Sequence, residues 1–277
     1  MGGGKIATIA VPVFFFLSGY LFQEHCYSWT LYKRKLKKRI KSVLIPYVVF
    51  NILAILIFYA KHPGDISIQD FCCRMFVSPQ NFPLWYLQNL MLLFLLTPVV
   101  MLLNNKYVDF LWLTITLFLF IVFMGDDELF LKVRNWGFCF YNIGAFCNRY
   151  CHDLALDKKY TLMFLLLGII SFMMSYRLNS YYYIQYYNLF VVLFIVFNLR
   201  AVGRIMNFFV RLSKYSSFIY FAHTLLVAGA CVGITNKYYC NVVGYFATPF
   251  IVSLVLMAMY EILSRLFPKG FSLIIGK

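Results

Sequence analysis

Nine apolar runs, each near the length that crosses a lipid bilayer, leave this chain very few folds. A bilayer core takes about 20 apolar residues per helix, with a range of about 17–25. Residues 6–22, 43–60, 84–103, 108–124, 136–150, 160–175, 184–200, 217–234 and 246–267 meet or approach that length. The fifth run, Trp136 to Tyr150, is the weakest, being short and carrying Asn142 and Asn148. None of the runs alternates with period two and all are too long for strands, which argues against a transmembrane β-barrel. Composition agrees: 62% of the 277 residues are hydrophobic and 13% charged, against about half and about a quarter in soluble domains. A soluble globule, a disordered chain, a coiled coil and a disulfide-stapled module are excluded. The expected fold is an all-α, polytopic membrane helix bundle with nine transmembrane helices. The connections are short, and the longest, 61–83, carries the turn signals Pro63-Gly64 and Ser78-Pro79. No stretch could hold a soluble domain, so residues 1–277 read as a single membrane domain.

Orientation follows from the basic residues. The 25 Lys and Arg outnumber the 10 Asp and Glu. The excess lies between the apolar runs, which points to topology and anionic lipid headgroups, with no nucleic acid partner. Lys33, Arg34, Lys35, Lys37, Lys38, Arg39 and Lys41 fix the loop after the first run in the cytoplasm. Alternating sides then place eighteen basic residues inside and seven outside, as nine spans require. The same orientation starts the first span outside, with Met1 to Lys5 translocated. A cleaved signal peptide does not fit, because no small-residue cleavage site follows and seven basic residues resist export. One membrane helix is therefore expected ahead of Met1, which makes the domain N-terminally incomplete.

Polar groups inside a bilayer are costly, and each is a functional hypothesis until a structural partner is found. His223, in Ser217-Phe218-Ile219-Tyr220-Phe221-Ala222-His223-Thr224, lies six residues into the eighth run, about 9 Å deep at about 1.5 Å per residue. Its imidazole could serve as a general base on a hydroxyl or donate a hydrogen bond to one; the alternative is a buried histidine bonded to a neighbouring helix. His25, His62 and His152 fall at run ends or in loops, where solvated surface is expected. In Cys151-His152-Asp153 the neighbours in sequence do not face each other as a nucleophile and base must. Asp126-Asp127-Glu128 lacks the spaced ligands of a calcium loop and reads as a solvated turn, so no metal is expected. The eight cysteines show no paired CxxC pattern, which leaves neither a zinc site nor a disulfide framework. Ser18-Gly19 removes side-chain bulk near the inner end of the first run, so that either a helix backbone or a ligand can approach. Gln88 and Asn89 lie just inside the outer interface and need partners once buried, as do Asn51, Asn142, Gln185 and Asn188.

Five short motifs, in order, resemble the integral membrane acyltransferase 3 family through nearly the whole chain. Val11-Pro12-Val13-Phe14-Phe15-Phe16-Leu17-Ser18-Gly19-Tyr20-Leu21 resembles its second helix. Lys37-Lys38-Arg39-Ile40 with Ile45-Pro46-Tyr47 resembles its basic loop and third helix. Pro83-Leu84-Trp85-Tyr86-Leu87 resembles its outer-face tryptophan motif. Phe140-Tyr141-Asn142-Ile143-Gly144-Ala145 resembles its mid-chain glycine span, and Phe218-Ile219-Tyr220-Phe221-Ala222-His223 its late histidine span. The resemblance implies ten helices in the complete fold and transfer of an acyl group, usually acetyl from cytoplasmic acetyl-CoA, to a hydroxyl of an envelope or surface polysaccharide sugar. Acyl-CoA would be a cosubstrate, with no permanently bound cofactor, and the setting a bacterial inner or plasma membrane. Ser18, Gly19 and Tyr20 would line the acyl path. Arg34, Lys35, Lys38 and Arg39 would bind the donor's phosphates. Trp85, with Gln88 and Asn89, and His223 would face the acceptor. The family's main catalytic histidine lies on its first helix, ahead of this chain's first residue, and the paired arginines of its basic loop are partly lysines here. Two other expectations stand beside this one. A glycan or lipid-intermediate flippase would show inverted repeats and interrupted helices, and none is visible. An inactive fragment of the acyltransferase would leave an unpaired face on the bundle.

Overall fold

The computed structural model describes residues 10–23, 28–62, 67–123, 135–150, 158–178, 181–198, 203–228 and 242–276, and every regular element among them is helical. In chain order these are α1 (Ala10–Gln23), α2 (Trp29–Arg39), a π turn (Ile40–Leu44), α3 (Ile45–Lys61), α4 (Ile68–Phe76), α5 (Trp85–Met101) and α6 (Lys106–Val122). There follow α7 (Asn135–Tyr150), α8 (Lys158–Arg177), α9 (Tyr181–Asn198), α10 (Gly203–Ala222), a second π segment (His223–Ala228), α11 (Val242–Leu266) and α12 (Pro268–Ile274). Among the described residues, each of the nine apolar runs is mainly helical. Among those residues two helices, Trp29–Lys61 and Ala247–Leu266, are long and apolar enough to cross a membrane, and four shorter apolar helices accompany them.

Two expectations about connections change. The basic segment 33–41, expected as a loop, is helical: α2 runs through the π turn into α3 as one 33-residue helix, Trp29–Lys61. Lys and Arg are good helix formers, and charge in this segment does not interrupt the backbone ladder. Pro46 has no N–H to offer the Ser42 carbonyl, which gives the helix a local reason to widen at Ile40–Leu44. The connection 61–83 also holds a helix, α4. The Ser67 hydroxyl caps it by accepting from the Asp70 N–H at 3.0 Å. The Asp70–Arg74 pair, 2.5 Å apart one turn later, supports it.

The chain divides into two compact units, one from Met1–Leu36 and Asn89–Arg204, the other from Lys37–Gln88 and Ile205–Lys277. In the first, α1 packs on α7 and α9, α6 on α7, and α8 on α9. Gly19 and Gly144 make the α1–α7 crossing possible. A Cβ at Gly19 would lie 2.9 Å from the Tyr141 carbonyl carbon, and one at Gly144 2.9 Å from that of Phe16. Each glycine thus seats the other helix's backbone, as small residues do in membrane bundles. Phe120 and Cys139 form a buried cluster with Leu117, Trp136, Ile143, Tyr186 and Leu189 packed around it. Pro98 sits inside α5 and leaves the Phe94 carbonyl without its helical donor. The Tyr32 hydroxyl donates to that carbonyl at 3.2 Å, supplying the partner an apolar interior demands.

In the second unit α4 lies on α3, α11 on the π segment His223–Ala228, and α12 on both α3 and α11. Phe50 of α3 meets Phe218 and Phe221 of α10 at ring separations of 6.3 and 5.2 Å. Phe218 also contacts Phe271 of α12 at 5.3 Å. Lys214 pairs with Glu261 at 2.7 Å, and Tyr215 donates to the same carboxylate at 2.6 Å.

Candidate active site

Four of the five family-like motifs meet in pairs. In the first unit the Ser18-Gly19 helix and the Gly144 helix are each other's packing partners. The space freed at Gly19 is taken by the Tyr141 backbone. Ser18 is half-buried beside it, and the Tyr20 ring stacks on Phe16 at 6.4 Å.

In the second unit the tryptophan motif docks on the histidine span. The Tyr220 hydroxyl donates to the Pro83 carbonyl, and the Tyr86 and Tyr220 rings meet edge-on at 5.9 Å. The half-buried Trp85 ring lies against Tyr86, centroids 6.5 Å apart. Gln88, at the end of this unit's share of α5, donates from Nε2 to the Phe76 carbonyl at 2.6 Å. Asn89, 2% exposed, opens the second segment of the other unit. Trp85 and Gln88 therefore share a unit with His223, whereas Asn89 falls with Asn142, Gln185 and Asn188.

His223 opens the π segment. Single wide turns of this kind occur often at functional positions. Its Nδ1 lies 3.1 Å from the Ile219 carbonyl and 2.9 Å from the Tyr220 carbonyl. Carbonyls only accept, so Nδ1 carries a proton, and in the neutral ring Nε2 holds the lone pair. Nε2 has no hydrogen-bond partner among the described residues, and the ring is half-buried. This is the state in which an imidazole can take a proton from a hydroxyl.

A residue absent from the sequence-based set organises this turn. Asn81, 3% exposed, donates from Nδ2 to the Phe221 carbonyl at 3.0 Å and accepts from the Thr224 hydroxyl at 2.6 Å. Its own N–H reaches Asn51 Oδ1 at 3.3 Å. Asn51, fully buried, donates in turn to the Arg74 carbonyl at 2.9 Å, and the Tyr47 hydroxyl donates to the Met75 carbonyl at 2.6 Å. The only sequence signal was an amide two residues before the Pro83-Leu84-Trp85 motif, in a segment read as loop.

The four donor-binding candidates divide between two faces of one helix, as spacing by four dictates. Lys35 and Arg39 are half-buried, and Arg34 and Lys38 are exposed with Lys33, Lys37 and Lys41. Lys35 Nζ donates to the Phe22 carbonyl at 3.0 Å near the end of α1, a cation where a helix C-terminus favours one. His62 is exposed and its Nδ1 donates locally to the Phe58 carbonyl at 3.1 Å. His25, Asp126-Asp127-Glu128 and Cys151-His152-Asp153 lie outside the described residues. Among the described cysteines none is in a disulfide; Cys72 and Cys73 are exposed on α4, and Cys139 is buried.

The described residues are helical and include two membrane-length helices, and comparison with known families gives the class of protein. The family model described as an acyltransferase domain matches residues 5–260, which run through both units. The chain belongs to the acyltransferase 3 family and is an acyltransferase of groups other than aminoacyl, in a membrane-associated family. Comparison with curated proteins and with solved structures returns no match.

Proposed function

We propose that the protein is a multi-pass enzyme of a bacterial inner or plasma membrane, crossing it at the nine apolar runs. It moves an acyl group, acetyl in the simplest case, from cytoplasmic acyl-CoA to a hydroxyl of an envelope or surface polysaccharide sugar. The observation that carries this reading is that His223 Nδ1 faces the Ile219 and Tyr220 carbonyls, which leaves Nε2 as the acceptor on the span that holds the Trp85 motif through Tyr220. In the reaction, Nε2 takes the proton of the sugar hydroxyl as its oxygen bonds to the thioester carbonyl carbon. The C–S bond then breaks, the ester is formed, and the departing thiolate of coenzyme A recovers the proton from the imidazolium. Lys35 and Arg39, with Arg34 and Lys38 on the outer face of the same helix, supply cations for the donor's phosphates. Trp85 and Gln88 meet the acceptor, and Ser18 and Tyr20, flanking the Gly19 seat of the Tyr141 backbone, border the acyl path.

Purified protein in nanodiscs, given labelled acetyl-CoA and a panel of envelope glycans, should place the label on a sugar hydroxyl. Failure to transfer to any glycan or to hydrolyse the thioester would remove the reading. Glycan movement across vesicles without an acyl donor would replace it with a flippase.

A further inference from the structure

We infer that Asn81 is a positioning residue that holds His223 in its Nδ1–H form by bridging the opening of the wide turn. The inference rests on the reading of His223 as the group that meets the acceptor hydroxyl.

A primary amide offers a donor and an acceptor in fixed opposition, and Asn81 uses both across the same turn. Nδ2 holds the Phe221 carbonyl, two residues before His223, and Oδ1 holds the Thr224 hydroxyl, one residue after it. Residue 223 falls between these two anchors along the chain. Its Nδ1–H reaches the Ile219 and Tyr220 carbonyls, which end the narrow helix just before the turn. A ring proton sits wherever its strongest acceptor lies, so the placement of those carbonyls decides which nitrogen is left as the base. Tyr220 is anchored independently, because its hydroxyl donates to the Pro83 carbonyl two residues after Asn81. The segment 81–83 therefore grips the histidine span at three points on both sides of His223.

Asn81 is itself held rigidly. It is 3% exposed, and its backbone N–H goes to Asn51, whose amide is bound to the α4 backbone. A buried amide with all these bonds made is costly to disturb, since any single loss leaves a buried group unpaired. The geometry gives Asn81 a function besides packing: it selects the tautomer.

Two variant sets and one spectrum test this. Asn81→Leu removes both anchors. Thr224→Val, at the exposed side of the turn, removes one while keeping shape, and Thr224→Ser restores the hydroxyl. In nanodiscs, kcat should fall about tenfold to a hundredfold for Asn81→Leu and Thr224→Val. The donor KM should stay within about twofold, as for a loss confined to the transition state, and Thr224→Ser should recover most of the rate. Nitrogen-15 spectra of labelled histidine, with His223 assigned by its loss in His223→Asn, should show Nδ1–H in the native protein. Asn81→Leu and Thr224→Val should show Nε2–H or an exchanging mixture. Unchanged His223 spectra in both variants would overturn the inference, whatever the rates. A shifted tautomer together with a native rate in His223→Gln would keep Asn81's positioning and remove only the catalytic reading of His223.

Discussion

Arg149 and Asp109 form an ion pair at 2.8 Å with side chains 7% and 0% exposed. The same guanidinium donates to the Met101 carbonyl at 2.7 Å and to the Asn104 side chain, and the Tyr150 hydroxyl donates to Asp109 at 2.6 Å. One cation thus joins the end of α5, the start of α6 and the end of α7. Removing one partner of a buried pair leaves an uncompensated charge, at a cost of about 3–5 kcal/mol. Asp109→Ala should lower the thermal midpoint in detergent sharply. The double variant Asp109→Leu/Arg149→Met should recover much of the loss, because an apolar replacement strands no charge.

The crossing of α1 and α7 makes a second, opposite pair of expectations. Gly144→Ala forces a methyl into the Phe16 backbone, where overpacking costs about 1–3 kcal/mol or more. Gly270→Ala, in α12, meets nothing within 4 Å and should gain up to about 1 kcal/mol of helix propensity. Thermal unfolding of both variants beside the native protein checks the contrast.

His223→Ala should reduce kcat by about 100-fold or more if Nε2 is the base, with the donor KM nearly unchanged. His223→Gln, which keeps a polar side chain but titrates at no relevant pH, should be as slow. Native rates in both would leave the ring a helix-turn element.

Charge on α2 bears on the donor. Lys35→Gln with Arg39→Gln should raise the acyl-CoA KM and weaken its dependence on ionic strength, as lost phosphate contacts do. Arg34→Gln with Lys38→Gln should do so less, because those side chains are exposed. Initial rates at several salt concentrations, with orientation verified by terminal tags, measure both.

The α4 helix should loosen in acid. The Arg74 guanidinium hydrogen-bonded to Asp70 holds that carboxyl below its ordinary range; the Tyr59 hydroxyl adds to this, and desolvation opposes it. A depressed native pKa means a contribution present in full above the unfolded carboxylate value, about 3.9. It is lost as pH falls through the lower native value. Hydrogen exchange of α4 amides should therefore quicken below about pH 4, and Asp70→Asn should be quicker at neutral pH with little further change.

Over their described residues the nine apolar runs were legible as helices, because an apolar run of that length has few other ways to satisfy its backbone. The weakest of them shows where hydropathy misleads. α7 has buried residues along nearly its whole length, and its polar groups are interior: Asn142 accepts from Trp112 Nε1 at 3.0 Å and donates to the Phe138 carbonyl at 2.9 Å. Low hydropathy there records internal partners, not a poor helix. α4 was not legible, since nine residues give too short a period to read and Pro63-Gly64 and Ser78-Pro79 frame it as loop. Of the site, His223 was visible as a polar side chain in an apolar run, whereas Trp85, ordinary for an interface on its own, was marked only by the family resemblance. Asn81 was invisible because its importance lies in two partners about 140 positions away.

The unbroken helix Trp29–Lys61 has a mechanical consequence. Its 33 residues span about 50 Å at about 1.5 Å each, well beyond a hydrocarbon slab of about 30 Å. In a bilayer the cationic third must stand in headgroups and water while the apolar remainder is immersed. Burying those charges would cost far more than leaning the rod, so a thicker or thinner membrane should change its tilt and leave its depth alone.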